Sequence, residues 1–343
     1  MKAEKCFISI RCLATVLVLI FVITSCHKKD DESVVLPSLE GDLIFYLPLY
    51  AEVNSTIALE STPISYPAEG VIYKWSSDHM LQDTVKALNC EITVPDSLGV
   101  FGVVITASAD GYYSKTATQV LTSINTGWNG SVKNRPEPTH WLMDERDGEL
   151  YSYEEIGDAL WLTENVRWDG AGEEYGKSKE FDKIMGRLYT WKEATGGENG
   201  EGLFGGPQGV CPEGWTLPTN EDWQYLASQL KGNGAEYAFN DRWNGLGEMV
   251  MSKATFNGEK MWQYDPDCEP QNKFNWEAYP AGRCYNSYNN YSGIFEYGYW
   301  WSASEYTSGQ AYYRYLHYES PDFPAGAVGK DDFGASVRCV KKR

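Results

Sequence analysis

The chain has 343 residues, of which 42% are apolar and 14% aromatic, enough for two packed domains of about 150 residues each and too apolar for a disordered chain. Its formal charge is −19 and its isoelectric point near 4.6, a balance that repels nucleic-acid phosphates and anionic lipid and excludes both as partners on charge.

In chain order, Lys2, Lys5 and Arg11 form a basic start, residues 13–23 an apolar run, and Ile23-Thr24-Ser25-Cys26 closes that run with small residues before a cysteine. The run is shorter than the ~20 residues a bilayer span needs and has the layout of a cleaved targeting signal. The tetrapeptide resembles a bacterial lipobox, whose cysteine is acylated and becomes the mature N-terminus. His27-Lys28-Lys29-Asp30-Asp31-Glu32 is similar to the lysine-then-acidic signal of Bacteroidetes-type surface lipoproteins. These likenesses imply a signal peptide over 1–25, palmitate-type acylation of Cys26, a tether over 26–40 and an outer-membrane, cell-surface address. The alternative is a secreted protein cut near Ser25.

Residues 41–125 carry short β-rich runs at even spacing, at 43–48, 56–60, 70–75, 89–94, 99–107 and 116–122, separated by turn chemistry such as Pro95-Asp96-Ser97 and Ala109-Asp110-Gly111. That pattern predicts an all-β, immunoglobulin-like sandwich with Trp75 in its core. Tyr73-Lys74-Trp75-Ser76-Ser77-Asp78, followed by Gly99-Val100-Phe101-Gly102-Val103, also resembles the polycystic-kidney-type (PKD) repeat. Cys90 has no partner in this stretch and is expected to pack as a small apolar group. Residues 126–140, rich in Gly, Asn and Pro, form the expected linker, and a second domain is expected over 141–343.

Within that domain the clearest local signal is Cys211 to Leu230. Thr219 or Asn220 can cap a helix, Asp222 sits at the capping-box position, and Trp223, Leu226, Ala227 and Leu230 recur at helical spacing. Lys231-Gly232 supplies the stop. Of the eight cysteines, Cys6 and Cys12 leave with the signal and Cys26 takes lipid. Four of the remaining five, Cys211, Cys268, Cys284 and Cys339, lie in the C-terminal half, and an exported chain allows them three pairings that spacing does not separate. No CxxC occurs and the histidines are scattered, so no zinc site is expected.

A family resemblance runs through the same region. Asp147-Gly148-Glu149-Leu150-Tyr151, Ile156 to Val166 and Gly186-Arg187-Leu188-Tyr189-Thr190-Trp191 resemble the opening blocks of the Fibrobacter succinogenes major paralogous domain. The likeness continues through Cys211 to Thr219, Tyr279-Pro280-Ala281-Gly282-Arg283, Trp300-Trp301-Ser302 and Ala335 to Val340. More distantly, residues 216–225 and Val337-Arg338-Cys339-Val340 are similar to blocks of sulfatase-modifying proteins, which implies an α+β, C-type-lectin-like fold whose first and last strands pair. On that resemblance Cys211 would bridge to Cys339, leaving Cys268 to pair with Cys284; the alternative is four free thiols. The oxidase chemistry of the sulfatase-modifying family is not implied, since no local motif maps its active cysteines.

Candidate chemistry is sparse. Gly200-Glu201-Gly202-Leu203-Phe204-Gly205 matches a nucleotide fingerprint by letters, but Gly206-Pro207 follows where a helix must begin, so a flexible surface loop is expected. Glu269-Pro270-Gln271-Asn272 is similar to the Glu-Pro-Asn triplet with which sugar-binding lectins hold calcium, and Asp265, Asp267 and Glu269 could supply hard oxygen ligands, yet the companion Trp-Asn-Asp block is replaced by Trp301-Ser302-Ala303. Calcium is a secondary expectation there, and no resident cofactor or catalytic residue is expected. Tyrosines crowd residues 285–318 among Asn, Ser and Gly, the composition of adaptable binding surfaces. Tyr285, Tyr288, Tyr291, Tyr297 and Tyr299 are the expected exposed ligand face, with Trp300 and Trp301 in the core. The expected function is non-catalytic binding or adhesion toward a glycan or a host or surface protein. The alternatives are a polysaccharide-processing enzyme or accessory, or a subunit of a surface appendage.

Overall fold

The computed structural model describes residues 35–81, 84–231, 237–238, 242–286 and 288–343. The expectations for the signal, Cys26 and Gly232 lie outside them. The described chain is mostly β.

The N-terminal part is built from β1 (Tyr50–Glu52), β2 (Thr56–Leu59), β3 (Ile72–Ser77), β4 (Cys90–Thr93), β5 (Val100–Ser108) and β6 (Lys115–Ile124). They form a four-stranded sheet of order β1-β6-β5-β3 and the pair β2-β4. Phe101, Val103, Ile105 and Ala107 alternate inward along β5, as a half-buried strand requires. They meet Leu59, Ile92, Leu121 and a fully buried Trp75, against which Phe45 stands edge-on at 5.1 Å. The strand expected at 43–48 does not form. There the backbone pairs only at an isolated bridge, Phe45 with Ser61, and the side-chain amide of Gln119 serves it as well, accepting from the Leu47 N–H at 2.9 Å and donating to the Phe45 carbonyl.

The segment expected as a linker contributes β7 (Val132–Lys133) and the first residue of β8 (His140–Met143). β8, β9 (Leu150–Ile156), β10 (Ala159–Leu162) and β20 (Val340–Lys342) make one sheet of order β20-β10-β9-β8. The last strand of the chain therefore pairs with an early strand of the C-terminal part, Trp161 opposite Val340. Two short helices follow, α1 (Asp182–Met185) and α2 (Trp191–Thr195), then α3 (Asn220–Lys231).

The capping box of α3 is formed. The Thr219 N–H donates to Asp222 Oδ2 at 2.9 Å and the Asp222 N–H returns to Thr219 Oγ1 at 3.2 Å. The other Asp222 oxygen accepts the Phe204 N–H at 2.7 Å, and the Gly200 N–H donates to the Ala303 carbonyl at 3.0 Å. The loop expected to be flexible is thus pinned to the helix start. A Cβ at Gly206 would stand 1.8 Å from the Leu217 carbonyl oxygen, so only glycine fits that crossing.

The remaining elements are β11 (Tyr237–Ala238), β12 (Arg242–Trp243), α4 (Gly247–Val250), β13 (Thr255–Phe256), β14 (Glu259–Lys260), β15 (Ala281–Tyr285), β16 (Asn290–Ile294), β17 (Tyr297–Thr307), β18 (Gln310–His317) and β19 (Ala325–Gly329). The last five make a sheet of order β16-β15-β17-β18-β19. Consecutive tryptophans on β17 feed different cores. Trp300 joins Trp161, Trp223, Trp276 and Phe323 beneath α3, while Trp301 joins Tyr189, Trp191, Leu217 and Phe333. Arg338 is fully buried between them. It donates to Asn165 Oδ1 at 2.8 Å and to the carbonyls of Leu162 and Trp276 at 3.0 and 2.8 Å, while Trp300 Nε1 donates to the same Asn165 oxygen at 2.8 Å. Those acceptors keep a charge tolerable where burial pulls the guanidinium pKa down.

Cys211 and Cys339 are joined across 128 residues and lie in the Trp301 core. The pairing expected of Cys268 with Cys284 does not occur. Cys268 lies in the tryptophan core with its sulfur 3.8 Å from Met251 Sδ, whereas Cys284 lies in a different core, on β15 against Gly334. Burial pushes these thiols up to about 11 and about 12, so both stay protonated. That fourth core also joins the two parts of the molecule, packing Ile124 and Val132 with Phe181, Met185 and Phe256. There the Tyr50 ring stacks on Phe181 at 3.8 Å and its N–H donates to Ser178 Oγ at 2.8 Å.

Candidate functional site

The five-stranded sheet has one face in the tryptophan core, and the other sends Tyr299 and Trp301 into the second core while leaving Tyr285, Tyr297, Tyr313, Tyr315 and His317 half-buried. Register decides which residues reach which. In β17 and β18, Gly298 opposes Leu316 and Trp300 opposes Arg314 on the core face. Tyr297 opposes His317, Tyr299 opposes Tyr315 and Trp301 opposes Tyr313 on the other, because side chains alternate with period two. The rings stack along and across the strands. Tyr297 lies 4.1 Å from His317 and 5.5 Å from Tyr299, and Tyr299 lies 5.9 Å from Tyr315, with interplanar angles of 21° or less. Phe333, buried, supports the row from below and touches Tyr285, Tyr299, Trp301 and Tyr313 within 5.5 Å. β19 passes under Tyr313 at Gly326, where a Cβ would come within 2.4 Å of the ring; glycine is what lets the ring lie there.

Arg283, on neighbouring β15, places its guanidinium among three of these rings, 5.0 Å from the centroid of Tyr285, 5.6 Å from Tyr297 and 5.1 Å from Tyr299. Nη1 donates to the Tyr299 hydroxyl at 2.6 Å, and Nε is buried without an acceptor. Burial pushes the phenols of Tyr299, Tyr297 and Tyr313 up, so they stay neutral, each able to donate and accept. The arrangement offers polarisable ring surface, neutral hydroxyls, the His317 imidazole and one cation, the make-up of a binding surface.

Three of the five tyrosines expected on a ligand face meet here, Tyr285, Tyr297 and Tyr299. The expectation that all five are exposed is corrected. Tyr299 is only 3% exposed and the other four are half-buried. Tyr288 and Tyr291 belong elsewhere: the Tyr288 hydroxyl donates to Glu193, the capping-box acid of α2, and the Tyr291 ring packs at 5.2 Å on Tyr175 in the junction core. Arg283, Tyr315, Tyr313 and His317 join the face without having been expected there as ligand contacts. The period-two spacing of the last three carried that signal.

Two other candidates are less complete. A recess of about 210 Å³ is lined by Asp147, Glu149, Arg167, Lys179, Asp182 and Arg187, among others. At its base Arg187 Nη1 donates to Asp182 Oδ2 at 2.8 Å and Nη2 pairs with Glu174 at 3.2 Å, while Asp182 Oδ1 is buried without a partner. Burial outweighs Arg187 and pushes the Asp182 carboxyl up to about 7. The calcium-like triplet does not converge. Asn272 Oδ1 accepts the Glu277 N–H at 3.1 Å and its amide donates to the Glu277 carboxylate. Among the described residues no three His, Cys, Asp or Glu side chains gather as a metal would need. The Gly200–Gly205 stretch leads into no helix. Among the described residues no helix is long and apolar enough to cross a membrane.

Comparison with known proteins gives one family match. Residues 154–341 match the family model described as the Fibrobacter succinogenes major domain. Among curated proteins no match is found.

Proposed function

We propose that this chain, which belongs to the Fibrobacter succinogenes major domain family, is a cell-surface binding protein that holds its ligand on the Arg283–tyrosine face. Membership supplies an architecture and no reaction, so function is argued from the site. The observation that carries the reading is the stacked row Tyr297, Tyr299, Tyr315 and His317, of which all but Tyr299 keep part of their surface open to solvent. Beside the buried Tyr299, three partly open hydroxyl or imidazole tips on one sheet face are what a binding surface uses, aromatic bodies with polar ends. The ligand is a glycan or a surface protein.

In this reading the N-terminal part is an immunoglobulin- or PKD-like stalk and the C-terminal part a C-type-lectin-like head. Pairing of β10 with β20 and the bridge from the α3 entry to the last strand support the head assignment. The lipobox-like Cys26 and the acidic surface support an outer-membrane anchor with the head facing water. A glycan array probed with the full chain, beside turnover assays on the same sugars, tests the function. Tyrosine-dependent capture without turnover is the expected result.

A second reading, hydrolysis of polysaccharide, draws on one observation: a carboxyl near neutrality at Asp182, beside Glu149 and Asp147 in the charged recess, has the property of a general acid. Sugar turnover abolished by Asp182→Asn would establish it over the first.

A further inference from the structure

The binding face carries a charge that the rest of the molecule would be expected to cancel. In this acidic chain Arg167 is paired with Glu149, Arg187 with Asp182, Arg242 with Asp322 and Arg343 with Glu155. Arg283 differs. Among the described residues no carboxylate lies within ion-pair distance of it; its only side-chain acceptor is the neutral Tyr299 hydroxyl, and its Nε is buried with none. A guanidinium held half-buried among rings has lost hydration, and cation–π contact returns only part of that cost. The nearby acids sit toward one end of the ladder, Glu296 beside Tyr297 and Glu319 3.8 Å from His317. At the opposite end Tyr285 and Tyr313 flank Phe333.

Resting on the binding reading above, we propose that this face selects a carboxylate-bearing glycan of the uronic-acid type, with the sugar carboxylate on Arg283 and the ring against the tyrosines. A pyranose ring offers apolar C–H groups to aromatic surface and hydroxyls to phenols. A uronate adds a planar carboxylate that a guanidinium binds through a charge-assisted hydrogen bond. Nη2, which has no partner and is not among the buried atoms, is the donor left over for it. Arg283 is on this account a specificity residue, and the tyrosines supply contact area that does not depend on ligand charge.

The test is isothermal titration of the full chain with a galacturonate oligosaccharide and with its methyl ester, which keeps the ring and removes the charge. The free acid is expected to bind about 10- to 100-fold tighter than the ester, the span of one charge-assisted hydrogen bond. Arg283→Gln is expected to bring the acid down to the ester, so that the ratio of their affinities falls to about one. Tyr297→Ala is expected to weaken both. Equal binding of acid and ester by the unaltered chain, a comparison that needs no variant to fold, overturns the proposal; if that binding still falls in Tyr297→Ala, the binding reading stands. Binding of neither oligomer likewise overturns it, and the binding reading then fails only if no arrayed glycan or surface protein is captured in a tyrosine-dependent way. An oligoglutamate peptide that binds as tightly as the acid would overturn the assignment to glycan. A circular-dichroism melt of Arg283→Gln within 2–3 °C of the unaltered chain shows that loss of selectivity is not loss of fold.

Discussion

At the scale of single residues, neighbours on one strand separate into contact and core. Tyr299 is enclosed by Tyr297, Tyr313, Tyr315 and Phe333, whereas Tyr297 and Tyr315 keep part of their surface open. Tyr299→Ala is therefore expected to cost about 3–5 kcal/mol of unfolding free energy, as aromatic core truncations do. Tyr297→Ala and Tyr315→Ala should cost about 1 kcal/mol or less each, yet weaken ligand binding. Urea unfolding of the three variants checks this, and equal losses would make all three core residues. Asp182 gives a pH signature. Its folded-state carboxyl titrates near 7 against 3.8 in the reference state, so the folded chain holds an extra proton between those values. Stability from this group is complete below about pH 4 and is lost as pH rises toward 7, by about 2–4 kcal/mol at ~1.36 kcal/mol per unit. Asp182→Asn should flatten that part of the pH–stability curve; a curve that keeps its slope would show that Arg187 holds the acid ionised throughout.

At the scale of elements, α3 was legible because its information is local. Cap, first-turn acids and apolar face all fall within residues 219–231, and the helix runs Asn220–Lys231. Asp222→Ala removes the cap and the anchor of the Phe204 loop together, and should cost more than the ~1 kcal/mol of an ordinary cap, about 2 kcal/mol by thermal unfolding. Asp222→Asn keeps the geometry and should recover part of it. The β-rich runs of the N-terminal part were legible for the same reason, since alternation along β5 needs no knowledge of its partner. The run at 43–48 failed because strand composition cannot say that its pairing is confined to one bridge, Phe45 with Ser61, and that Gln119, 72 residues beyond Leu47, bonds the backbone past it. Tyr288 and Tyr291 were misplaced on similar grounds. Their composition suits a binding surface, but the turn between β15 and β16 aims Tyr288 at Glu193 and sets Tyr291 against Tyr175.

At the scale of the molecule, long-range bonds close the head on itself and fasten it to the part before it. The Cys211–Cys339 bridge closes a span of 128 residues, worth about 4–5 kcal/mol if chain entropy governs. Cys211→Ala with Cys339→Ala should lower stability by that order and leave Cys268 and Cys284 unreactive toward thiol reagents in the folded state. Rapid labelling of either before unfolding would refute the buried assignment. The junction makes a parallel case: Tyr50→Ala, which removes the stack on Phe181, should make two thermal transitions of one if the parts otherwise fold independently. Two kinds of information thus produced this protein. Composition, charge, the signal-like start, the capped helix, the strand periodicity and the family blocks were determined by the sequence alone, because each rests on residues within a few positions of one another. The Cys211–Cys339 bridge was implied by the family resemblance, whereas which tyrosines share a face, how Arg283 comes to stand among them, and that Cys268 and Cys284 stay apart were decided only by tertiary structure. Those properties depend on strand register and on contacts between residues far apart in the chain, and a single-residue slip in register exchanges a buried row for an open one.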